Sequence, residues 1–191
     1  MKFIDNFLDT ITMYRLVLYY LLLLLCAAFI YCVLGILHFN PFLLGFSAVF
    51  LVAVCWIANK VFAKTFGVPA NVESVYITAL ILALIITPAQ SLNDVVFLFW
   101  AGVLAMASKY ILAIGKKHLF NPVAIAVTIT AFAGVGSASW WVGTLCMVPF
   151  TVLGLVIVRK IRRYDLVFYF FIAAFVTIAL CTIYQGHDLL T

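Results

Sequence analysis

An all-α bundle of membrane-crossing helices is the fold class this sequence predicts, and three observations carry that prediction. Apolar residues make up 68% of the chain and charged residues 9%, a balance foreign to soluble domains. The apolar residues fall in long runs divided by short polar joints, as in proteins that cross a bilayer repeatedly. The lysines and arginines, 11 in all, sit at the ends of those runs. The mean hydropathy of +1.29 agrees.

Each element follows from the same pattern. The first apolar run, 14–37, is too long for a cleaved leader and lacks a small-residue cleavage site, so it reads as a retained span. Residues 1–13 read as a cytoplasmic segment before it. A second span covers 41–58, and a short third segment covers 75–87. The fourth span is 95–112, the short fifth segment 122–134, the sixth span 140–158 and the seventh 166–184. With the N-terminus in the cytoplasm, seven crossings place Lys2, Arg15, Lys60, Lys64, Lys109, Lys116, Lys117, Arg159, Lys160, Arg162 and Arg163 on the cytoplasmic side. The outer joints carry His38, Asp94, His187 and Asp188 and no basic residue, as the positive-inside rule requires. This distribution explains the net charge of +5 without a nucleic-acid partner. The expected location is the inner (cell) membrane of a prokaryote, with the bilayer itself as one partner.

The short segments carry the functional reading. At ~1.5 Å per residue, 13 residues reach only ~20 Å of a ~30 Å hydrocarbon layer. Such helices must be completed by irregular backbone, which is tolerated only against protein or a cavity, and broken helices mark binding sites. The fifth segment is rich in small residues, so it is expected at the centre of the bundle. The first span, with its leucine run 21–25, is expected at the periphery. The fifth segment also opens on Asn121-Pro122, an N-cap followed by proline at the first helical position, directly after Lys116, Lys117 and His118. Free N–H groups and the positive end of the helix dipole beside two lysines suit an anionic group, either a phosphate or the electron-rich edge of a reduced ring.

Three blocks bring a resemblance. Asn71 to Pro88, reading NVESVYITALILALIITP, resembles the short third helix of a family of membrane redox proteins. Phe120-Asn121-Pro122 resembles its F-N-P motif, and Trp140 to Ile183 is similar to the helix pair that opens its second half. The family is RnfD/NqrB, the membrane component shared by the Rnf electron-transport complex and the sodium-translocating NADH:quinone reductase. The resemblance covers about 14–184. It implies the first repeat and part of the second of a five-plus-five inverted-repeat fold related to urea transporters, with flavin held in the membrane domain. Some members carry FMN on the threonine of an S-x-A-T motif. Here the joint 134–140 has no threonine, so a non-covalent flavin, FMN or riboflavin, is expected. The family's last three helices are missing, so the chain, a single integral membrane domain over 1–191, is expected to be the N-terminal part of a longer protein. On its own it is expected to be poorly stable.

The cofactor-binding residues expected on this basis are Lys117, His118, Phe120, Asn121, Pro122, Glu73 and Thr78, with Glu73 alternatively a plain helix-start acid or an ion-coupling carboxylate. Thr78, Thr87, Thr128 and Thr130 either bond back to their own helix or line a polar path. Trp140 and Trp141 read as interfacial anchors, and Arg159 to Arg163 as a lipid-facing basic cluster or a docking point for an acidic donor domain. The five cysteines read as small buried hydrophobes. Histidines occur only at span ends, which disfavours a transmembrane haem. The expected function is electron transfer between a cytoplasmic NAD(P)H–flavin module, either a flavin reductase domain or electron-transport subunits, and a membrane or extracytoplasmic acceptor. A channel for a small polar solute and a cofactor-free anchor for a fused reductase are the alternatives.

Overall fold

The computed structural model describes residues 12–69, 72–114, 117–118, 120–161 and 164–184. They fall into two compact units, Tyr14–Val152 and a second that holds the helices beyond it. Among the described residues four helices are long and apolar enough to cross a membrane, and their surface is crowded with large apolar side chains. The chain therefore reads as membrane-embedded.

In the first unit α1 is Met13–Val33, α2 Pro41–Phe66, α3 Val72–Ile85 and α4 Leu92–Ile111. A two-residue ribbon follows. Ala113–Ile114 (β1) pairs antiparallel with Lys117–His118 (β2), Ala113 opposite His118. Then come α5, Pro122–Phe132, two 3-10 turns at Trp141–Gly143 and Leu145–Met147, and the short α6, Val148–Leu153. The second unit holds α7, Leu155–Ile161, and α8, Tyr164–Tyr184.

The differences from the sequence expectation have local causes. α1 stops at Val33, and the still-apolar residues after it form a turn in which Ile36 and Leu37 both donate to Tyr31 O. Hydropathy does not separate an apolar turn from an apolar helix. α2 runs eight residues past the expected end, because Lys60 ends the apolar run but not the helix. Its ammonium lies 3.6 Å from the Trp56 ring centroid, an amphipathic arrangement that keeps its stem on the helix. The helix ends only at Gly67, whose φ of 62° and N–H to Ala63 O form a left-handed cap. The expected sixth span, 140–158, is not one helix: the two 3-10 turns, α6 and a break at Gly154 replace it.

The core of the first unit is the packing of α3 and α4 with α2, through Leu51, Cys55, Ala79, Leu82, Leu98 and Met106, each at most 4% exposed. α1 packs through one face, Leu21, Leu24 and Ala28, onto Leu80 and Leu84 of α3, and its other side is open, as expected for a peripheral span. α5 lies along α4 with Val123, Ala126 and Thr130 buried, while Ala124, Thr128 and Phe132 are exposed. The central position expected for this helix is met on that one face.

Candidate functional site

Two rules of helix chemistry place one end of α5. Asn121 is the N-cap, and its side-chain oxygen accepts from Val123 N at 3.0 Å. Pro122 fills the first helical position and has no N–H to satisfy. Asn40 and Pro41 start α2 in the same way, with Asn40 Oδ1 accepting from Phe42 N at 2.9 Å. The expectation of free N–H groups at the start of α5 is therefore narrowed: Val123's is taken by the cap, while the helix dipole and the Asn121 amide NH2 still face a ligand.

At this end the chain forms a half-open cavity of about 420 Å³, within the range of small-molecule sites. Phe120, Asn121, Pro122 and Val123 form one wall. α3 forms another through Ser74, Ile77, Thr78 and Ile81, spaced i, i+3, i+4 and i+7 along a single helical face. Tyr14 from the start of α1 and Lys109 from the last turn of α4 complete it. The lining has an apolar part (Ile77, Ile81, Val123), aromatic side chains (Tyr14, Phe120) and a polar group (Lys109, Ser74, Thr78, Asn121).

The polar group is tied together. Lys109 Nζ donates to Ser74 O at 2.8 Å and to Ser74 Oγ at 3.0 Å. Thr78 Oγ1 also donates to Ser74 O, at 2.8 Å, so Thr78 both bonds back to its helix and lines the cavity. These bonds join the end of α4 to the start of α3. Nearby, Arg15 Nε lies 3.2 Å from Glu73 Oε1, tying α1 to α3.

Of the residues expected from sequence, Phe120, Asn121, Pro122 and Thr78 meet at this cavity. Glu73 does not line it and pairs with Arg15 on the surface, at 38% side-chain exposure. Lys117 and His118 have their backbone in β2, and their side chains, like Lys116 as a whole, lie outside the described residues. Lys109, Ser74, Tyr14, Ile77, Ile81 and Val123 are lining residues that sequence reasoning does not single out. In the sequence Lys109 counts only as a topology charge. Its one local signal is that it interrupts the otherwise uncharged stretch from Val95 to Gly115.

The far ends of α3 and α5 are built differently. Ile85 O accepts from Ser139 N and Trp140 N, both at 2.9 Å, and Ile86 O accepts from Trp141 Nε1 at 2.9 Å. The loop after α5 thus caps the C-terminal carbonyls of α3. Trp141, at 4% exposure, is a buried capping residue, contrary to the interfacial role expected for it; Trp140 is exposed. A second, more open cavity of about 420 Å³ lies here, between α5 (Val127, Thr128, Ala131, Phe132) and the following loop (Ser137, Ala138, Trp140). Thr130 is buried and bonds back to Ala126 O at 3.0 Å, and Thr87 is exposed on the loop after α3. Cys32 and Cys55 are buried as expected, whereas Cys26 and Cys181 are exposed. No family model, curated protein or solved structure matches this chain.

Proposed function

We propose that this chain is a membrane electron-transfer domain that holds a flavin non-covalently in the cavity between α3, α4 and α5. The observation that supports it is the lining itself. Residues far apart in sequence converge there, and their chemistry matches a flat, amphipathic ring system. Ile77, Ile81 and Val123 offer apolar surface, Tyr14 and Phe120 offer aromatic contacts, and Lys109 and Asn121 offer hydrogen-bond donors. Three of the converging residues, Phe120, Asn121 and Pro122, are among those on which the resemblance to the RnfD/NqrB family rests. A bound flavin supplies the redox chemistry; the protein supplies binding, orientation and electrostatics.

In this reading the cavity opens to the cytoplasm, because Arg15 and Lys109 lie at that end. The electron donor is a cytoplasmic NAD(P)H–flavin module, the acceptor lies in or beyond the membrane, and Glu73, although paired with Arg15 outside the cavity, is the acid proposed for any ion coupling. The seven-segment, inverted-repeat topology and the prokaryotic cell membrane belong to the same proposal. The second cavity, at the opposite end of α5, favours one other reading, a path for a small polar solute flanking a half-length helix.

An ultraviolet–visible spectrum of the purified protein, before and after acid treatment, separates the two. A flavin band that leaves with acid is the expected result. A colourless protein that also takes up no added flavin rejects the electron-transfer reading in favour of the solute path.

A further inference from the structure

The cavity contains a cation with no acid beside it. Lys109 is half-buried, and its two described partners, the carbonyl and hydroxyl of Ser74, are neutral. Among the described residues no carboxylate pairs with it, and no Asp or Glu lines the cavity. An ammonium withdrawn from water is unfavourable unless dipoles or an anion meet its charge. Ser74 takes two of its three N–H donors, which leaves one for whatever fills the space. Asn121 Oδ1 is committed to Val123 N, so that side chain offers the ligand its NH2, with the positive end of the α5 dipole behind it. The polar part of the lining thus holds one cation and one amide NH2, beside the Thr78 hydroxyl, whose proton goes to Ser74 O, and it adjoins an apolar wall.

We infer that Lys109 is the charge partner of the ligand, and that the cavity selects the phosphorylated form of its aromatic ligand, FMN over riboflavin. The inference rests on the flavin reading of the cavity. A half-buried ammonium with only neutral partners calls for an anion that keeps its charge. The oxidised ring is neutral, whereas a phosphate monoester carries about −1.5 to −2 at neutral pH whatever the state of the ring. A charge-assisted hydrogen bond from lysine to phosphate is roughly twice as strong as a neutral one. Lys109 is held in place before the ligand arrives, which lowers the entropy cost of using it.

The test measures binding, by quenching of flavin fluorescence, of FMN and of riboflavin to the detergent-purified full chain after removal of co-purifying flavin. FMN is expected to bind on the order of tenfold or more tightly than riboflavin, and the preference is expected to shrink as salt is raised. Lys109→Gln is expected to bring the two affinities close to parity, and Lys109→Arg to keep most of the difference. Equal affinities in the wild-type chain overturn the inference and leave the flavin reading standing, with no variant needed. A full FMN preference in folded Lys109→Gln also overturns it, by placing the charge partner elsewhere. Binding of neither flavin overturns the inference together with the reading on which it rests.

Discussion

Asn40 and Asn121 form a natural control pair at the scale of single residues. Both are N-caps followed by proline, with side-chain bonds of 2.9 and 3.0 Å, and only Asn121 lines the cavity. Replacing either with alanine is expected to cost ~1 kcal/mol of stability, seen as a similar drop in thermal midpoint in detergent. Only Asn121→Ala is expected to weaken flavin binding as well. If both variants weaken it equally, the cavity is not the site. Glu73 makes a second case. Its pair with Arg15 is exposed, so Glu73→Gln is expected to change stability by ~0–1 kcal/mol and to leave flavin affinity nearly unchanged; a large loss of binding would give Glu73 a direct role. The asparagine caps are legible in the sequence because a cap is a local signal, set by two adjacent residues. Lys109 is not legible as a site residue, because its partner is 35 positions away, and only the antiparallel packing of α3 and α4 brings Ser74 to it.

The same contrast of local and distant signals governs the helices. Asn40-Pro41 marks the start of α2 and Asn121-Pro122 the start of α5. Hydropathy misses the end of α2 because Gly67 stops the helix two turns beyond the last strongly apolar stretch. It misses the broken region 140–153 for another reason. The residues there are as apolar as a span, but the tryptophan indole and two backbone N–H groups are used to cap α3, which pulls the chain out of helical geometry. Trp141→Phe removes the indole donor and leaves a buried carbonyl short of a partner, at an expected cost of ~1–3 kcal/mol. Close packing imposes its own requirement at Gly136. A Cβ there would stand 2.6 Å from Phe97 Cγ, closer than real Cβ contacts allow. Gly136→Ala is expected to lose ~1–3 kcal/mol through overpacking, and Phe97→Leu to recover part of that loss. A fully stable Gly136→Ala would mean that the loop is free to move off α4.

Across the whole first unit the elements alternate in direction. The starts of α1, α3 and α5 and the end of α4 meet at the first cavity, and Ile85, Ile86 and the 139–141 loop meet at the other end. Single cysteines at positions 64 and 91, in a background without reactive native thiols, are therefore expected to react with impermeant reagents from opposite faces of sealed vesicles. Labelling of both from one face would break the alternation. The overall class is legible because composition and charge placement are properties of the whole chain; the cavity is not, because it exists only where four elements converge. The short helix between the two cavities has an electrical consequence. Its 11 residues span only ~16 Å, about half of a ~30 Å hydrocarbon layer. Where water reaches both cavities, the membrane voltage falls across that half thickness and the local field is roughly doubled. A charge passed from one cavity to the other then performs nearly all of the ~2.3 kcal/mol of work that 100 mV exacts per elementary charge. Any transfer between these two sites is thereby coupled to membrane potential, with a voltage dependence set by the length of α5.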